Sequence, residues 1–180
     1  MQQTQTAEEL IDIPAIGSPL GGGFFAGEFL LEGECYALIV APKEAGEELG
    51  LQYKEKDLHA ADGARSEEDG LVNTDMLNDA KYPAAHFCHS LCIGGYNDWY
   101  LPSRDELALL CQNLGPRRKG TPMVFGKGGA EAFETTRYWS STAHASYSMN
   151  AWLVTFNEGP HANYSKGYFG GVRAVRRFKI

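Results

Sequence analysis

The sequence predicts an α+β fold: a mainly antiparallel sheet with two to three helices and long loops. Three observations predict it. The last third alternates short apolar runs with turn residues, a strand pattern. Two apolar runs near the start are joined by Glu32-Gly33, which suits a tight hairpin. The middle, from Asp75 to Leu114, carries helical periodicity with caps and stops. At 180 residues the chain can bury one sizeable core. It divides into an N-terminal arm, 1–20, for docking or assembly, and a single domain, 21–180.

Within the arm, Gln2 to Thr6 is too polar to build a core. Ile11, Ile13 and Ile16 are interrupted by Pro14, Gly17 and Pro19, which argues against a regular helix. Such a segment docks on a partner or packs on its own domain. Phe24–Leu31 and Glu34–Ala41 read as strands, the second apolar enough to be buried on both faces, and Pro42 ends it. Lys43–Asp69 reads as a charged irregular stretch. Its carboxylates at Asp62, Glu67, Glu68 and Asp69 suggest either a solvated loop or a calcium site, without the regular spacing of a calcium loop. Asn73 or Thr74 is expected to cap a helix running to Leu91, and Pro83 either kinks it or starts a second helix. Ala84, Phe87, Cys88, Leu91 and Cys92 form its buried stripe.

Gly94 to Leu107 is the most fully specified stretch. Gly94-Gly95 ends what precedes it, Asn97-Asp98 turns the chain, and Pro102 keeps Leu101 out of the α region. Ser103 and Glu106 form a capping box for a helix that stops at Gly115-Pro116. Gly115–Thr136 is a long glycine-bearing loop, with a helical turn expected at Ala130–Phe133. Tyr138–Thr142 and Ala151–Phe156 are strands, the latter placing Trp152, Val154 and Phe156 on one face. Asn157–Pro160 is a turn, and Val172–Phe178 is the closing strand.

The net charge of −7 argues against nucleic acid as a partner. The two basic clusters, Arg117-Arg118-Lys119 and Arg173 to Lys179, read as a loop and a paired strand or as local anion sites. No window approaches the ~20 apolar residues needed to span a bilayer, and no signal peptide is visible, so synthesis in a bacterial cytoplasm without secretion or membrane insertion is expected. The four cysteines read as buried free thiols. The His86-x-Cys88-His89-x-x-Cys92 spacing matches no closed zinc motif. No cofactor, metal or catalytic set is predicted.

Gly94 to Leu107, then Tyr138-Trp139-Ser140-Ser141-Thr142, Ala151-Trp152 and Val172–Arg176, resembles the domain that closes the Legionella collagen-like adhesin. Similar domains occur in phage and prophage tail-associated proteins. The resemblance covers the chain from about Asp69 onward. It implies a C-type-lectin-like fold with the two chain ends side by side in one sheet. It further implies a virion tail protein (fibre, tip or baseplate), homo-oligomeric, contacting other tail proteins through the arm and a host-surface glycan or protein through its loops. Alternatives are a purely structural virion component and, less well matched, an enzyme related to the formylglycine-generating oxidase, which needs late cysteines absent after Cys111.

Two segments, 143–150 and 161–169, are rich in Tyr, Ser, Asn, His and Gly, the composition of a recognition surface. Tyr147, Asn150, His161, Asn163, Tyr164 and Tyr168 are the candidate binding residues. Trp99, Pro102, Ser103, Glu106, Trp139 and Trp152 are assigned to structure. Residues 144–169 are also similar in composition to the diversified surface of some lectin-fold phage proteins.

Overall fold

A computed structural model describes residues 13–156 and 159–180, with the side chains of 159–161 excepted. The elements are β1 (Pro19–Leu20), β2 (Gly23–Leu31), β3 (Glu34–Val40), α1 (Lys43–Gly46), β4 (Glu47–Gln52), α2 (Gly70–Met76), α3 (Pro83–His89), α4 (Arg104–Leu114), β5 (Arg137–Ala143), β6 (Asn150–Thr155), β7 (Gly159–Ser165), β8 (Phe169–Arg173) and β9 (Val175–Lys179). Two sheets result, ordered β1-β2-β3-β9 and β4-β8-β5-β6-β7. All pairings are antiparallel except β5 with β8. The first sheet does place the N-terminal strands beside the C-terminal one. Among the described residues no helix is long and apolar enough to cross a membrane.

The β2–β3 hairpin turns at Glu32 and Gly33, both with positive φ, as a two-residue turn between twisted strands requires. A second tight turn at Gly94-Gly95 joins Ile93 to Tyr96 through paired backbone bonds of 3.0 and 3.1 Å. A Cβ on Gly94 would lie 2.7 Å from the Gly22 backbone, so this turn packs against the entry to β2.

The predicted closing strand is divided. Residues up to Arg173 belong to the five-stranded sheet and those from Val175 to the four-stranded one. At the crossing, Ala174 donates to the Gly46 carbonyl and its own carbonyl accepts from Ala41, while Tyr100 and Val175 bond each other's backbone. One extended run therefore stitches both sheets together. Its basic residues are paired: Arg173 with Glu47 and Glu131, Arg176 with Asp98, Arg177 with Asp69, Lys179 with Glu34.

Several expectations change. The stretch 43–69 contains α1 and the edge strand β4, which brings the described helices to four. β4 lacks an apolar alternation because it is an exposed edge, with a bulge at Gly50, held by its backbone ladder to β8. Three of the four candidate calcium carboxylates have cationic partners instead: Asp62 bonds two lysines, Glu67 bonds Arg104, and Asp69 bonds Arg177. The cap of α2 is Asp69, which accepts from Val72 N–H at 3.0 Å. Asn73 and Thr74 lie buried inside the helix, their side chains committed to Ser66 and Leu101. Pro83 starts a separate helix that ends at His89, leaving Cys92 exposed, and Cys35 is half-buried. Ala130–Phe133 is not helical; Phe133 instead stacks on Phe156 at 3.9 Å and pins the long loop to the core. The arm residues 1–12 and the turn residues 157–158 lie outside the described part, while Ile13 and Leu20 pack against the first core, the cluster around Ile39, Trp99 and Trp139.

The Ser103–Glu106 capping box forms, and its carboxylate does more than cap. Wholly buried, Glu106 accepts from Ser103 N–H, Gly70 N–H and the Tyr100 hydroxyl, joining the starts of α2 and α4. Burial pushes its carboxyl up from 4.5 to about 7, against the lowering effect of the Tyr100 and Ser103 bonds and of Arg177. Between those values the folded chain holds a proton that the unfolded chain has released. Stability contributed by this group therefore falls as pH rises through that window and levels off above it. Asp69, held below 3.8 mainly by Arg177 against its burial, acts in the opposite sense at lower pH. Glu106→Gln should flatten the slope in urea-derived stability between 4.5 and 7. Glu106→Ala should cost about 3 kcal/mol, because three buried donors lose their acceptor.

Candidate recognition surface

The β6–β7 hairpin carries the predicted contact residues, but not as one patch. Asn150 pairs with Ser165, Ala151 with Tyr164, and Trp152 with Asn163. Since side chains alternate along a strand, Asn150, Trp152 and Asn163 share one face, and Tyr164 lies on the other. The sheet thus splits the predicted set. The segment beginning at His161 is also largely strand rather than loop; the side chain of His161 lies outside the described part.

On the first face, Asn150 donates to the Asn163 side chain at 2.7 Å. Trp152, assigned to structure on one face with Val154 and Phe156, is half-buried and stacks on His144 at 4.9 Å and 23°. Ala151 and Leu153 take core places on the opposite side, so β6 buries both faces. His144 meets Tyr147 at 4.7 Å, and the Arg104 guanidinium lies 5.5 Å from the Trp152 ring centre. Four flat groups, Arg104, Trp152, His144 and Tyr147, therefore follow one another across the surface, ending in a tyrosine that is 62% exposed. Arg104 is held by Glu67 at 2.6 Å. The candidate binding residues did not include Arg104, Trp152 or His144. Arg104 read as part of the capping-box stretch, and Trp152 was assigned to structure on one face with Val154 and Phe156.

The loop between β5 and β6 has a fixed course. His144 Nδ1 accepts from the backbone N–H groups of Ser146 and Tyr147, each at 3.1 Å. Asn150 N–H donates to the Tyr147 carbonyl and His144 N–H to the Asn150 carbonyl. From below, Lys166 donates through its backbone to Met149 and through Nζ to Ser148 at 2.6 Å.

On the other face, Tyr164 packs partly on the first core and meets Tyr168 edge-on at 4.8 Å. The Arg137 guanidinium lies 4.4 Å from the Tyr164 ring centre, and Tyr168 is 56% exposed.

Beneath both lies a buried ionic cluster. Asp62 accepts from Lys54 at 2.5 Å, from Lys166, and from the Tyr82 hydroxyl at 2.8 Å. Burial opposes the charge of Asp62, but the bonds from Lys166, Lys54 and Tyr82 prevail and hold its carboxyl below 3.8. Burial also lowers Lys166, against the raising effect of Asp62. Among the described residues no group of three His, Cys, Asp or Glu side chains could hold a metal ion. Lys166→Met should cost about 2 kcal/mol in thermal or urea unfolding, because it leaves the Ser148 carbonyl and one Asp62 oxygen without their donor. An unchanged midpoint would remove Lys166 from the loop's support.

The fold is shared, at a TM-score of 0.50, with the crystal structure of a fimbrial protein from Bacteroides ovatus that is 15% identical. The match covers 77% of this chain and 35% of that one, so this chain spans about a third of its length. No curated protein matches the chain. Residues 50–176 match the Lcl C-terminal domain model, and the chain belongs to the Lcl C-terminal domain family.

Proposed function

We propose that this protein works by binding rather than catalysis, as an adhesin-type domain that presents the Tyr147 face of the β6–β7 hairpin to a molecule on a host-cell surface. The observation that carries this reading is the row of flat groups from Arg104 to Tyr147. Stacked rings offer large contact area at small entropic cost, and the Asn150–Asn163 pair supplies amide donors and acceptors beside them. Family membership supports the adhesin-like part of the proposal. The C-type-lectin-like description of the fold belongs to the same proposal, supported by the pairing of β3 with β9. A phage or prophage tail is the setting we infer from the Gly94–Leu107 stretch, with oligomeric display and assembly in a bacterial cytoplasm.

Labelled protein incubated with a panel of intact bacterial and cultured epithelial cells, read by flow cytometry, tests this. Tyr147→Ala and Trp152→Ala should each weaken cell binding about tenfold, the scale of a contact hot spot of ~1.4 kcal/mol. Tyr168→Ala, on the opposite face, should leave it unchanged. Full binding by a normally folded Tyr147→Ala, Trp152→Ala double variant would remove this face from the function.

A further inference from the structure

A groove of about 330 Å³ runs between β2 and α4. Its floor is apolar, formed by Phe29, Leu30 and Leu109, and Leu30 is 71% exposed. Its rim carries Glu28, Glu68 and Asp105. Asp105 is bonded to Arg104, whereas Glu28 and Glu68 are exposed and form no ion pair among the described residues. Past the other end of α4, Arg117, Arg118 and Lys119 stand exposed in the loop, also without an ion pair among the described residues. In a chain of net charge −7, three adjacent uncompensated cations are conspicuous. Nearly every other clustered base, from Arg173 to Lys179, has an acidic partner in its own molecule.

We propose that the groove receives the Arg117–Lys119 loop of a second copy of this chain. Long basic side chains fit both of its features: their aliphatic stems cover apolar surface while their heads reach carboxylates at the rim. The groove runs along α4 from Asp105 to Gln112, and the loop follows the C-terminal end of that helix. Each copy offers one groove and one loop, so the contact is satisfied by reciprocal exchange in a two-fold dimer or by head-to-tail repetition in a ring or filament. The inference gives the oligomeric display proposed above a specific contact, and its test reads association rather than cell binding.

Sedimentation of the full chain tests it. Association should be strong at ~20 mM salt and weaken at least about tenfold at ~500 mM, as screening shortens the reach of exposed charges. Glu28→Lys with Glu68→Lys in one variant, or Arg117→Glu with Lys119→Glu in another, should each give monomers at low salt. An equimolar mixture of the two variants should associate again, since each then offers a surface complementary to the other. A wild-type monomer at low salt would overturn the proposal. So would association that neither variant weakens, or two folded variants that fail to associate when mixed.

Discussion

The Asp62 side chain sits buried between two lysines that come from opposite edges of the larger sheet. Lys54 follows β4 and Lys166 turns β7 into β8, and the backbone N–H of Lys54 donates to the Lys166 carbonyl. The cluster therefore holds together chain that leaves two outer strands. Burying two ammonium groups is costly unless every donor is used. Here Lys54 also reaches the Ala60 carbonyl and Lys166 the Ser148 carbonyl, and the rings of Tyr82 and Tyr53 lie 5.4 and 5.6 Å away. Among the described residues no buried side-chain polar atom lacks a partner. The β5–β6 loop gains its posture from this cluster, because Lys166 grips Ser148 and Met149 from inside.

A second buried carboxylate plays a parallel part for the helices. Glu106 ties the starts of α2 and α4 to Tyr100, and Tyr100 bridges to Val175 where the C-terminal run changes sheets. Arg104, one residue into α4, bonds Thr142 of β5 through its backbone and faces Trp152. The local instruction that starts a helix thus also delivers a cation to the proposed recognition surface. Structure and display share the same few residues.

Local rules made much of this legible in the sequence. The Glu32-Gly33 turn, the Ser103–Glu106 capping box, Pro83 at the start of α3 and the stop at Gly115 all follow from residues near one another in the chain. What local rules could not supply was long-range pairing. β4 is invisible to periodicity because an edge strand needs no buried face. Asp62 and Asp69 read as solvated acids because Lys166 and Arg177 lie 104 and 108 residues away, and Lys54, 8 residues from Asp62, reaches it only once the fold has buried both. The candidate binding residues were chosen by composition, which registers residue types but not sheet faces. Hence Tyr147 and Asn150 appeared beside Tyr164 and Tyr168, although the sheet separates them. The alternation rule grouped Trp152 with Val154 and Phe156 on one face because they share its parity, and it could not show that His144 and Arg104 would cover the ring.

The central claim is that the free protein already holds the β5–β6 loop in its displayed course. Amide hydrogen exchange of the unliganded chain measures this directly. The account predicts that the N–H groups of His144, Asn150 and Lys166, each bonded to a carbonyl across the loop, exchange slowly, close to the neighbouring strands. Exchange at unprotected rates in this segment, with β6 still protected, would contradict it.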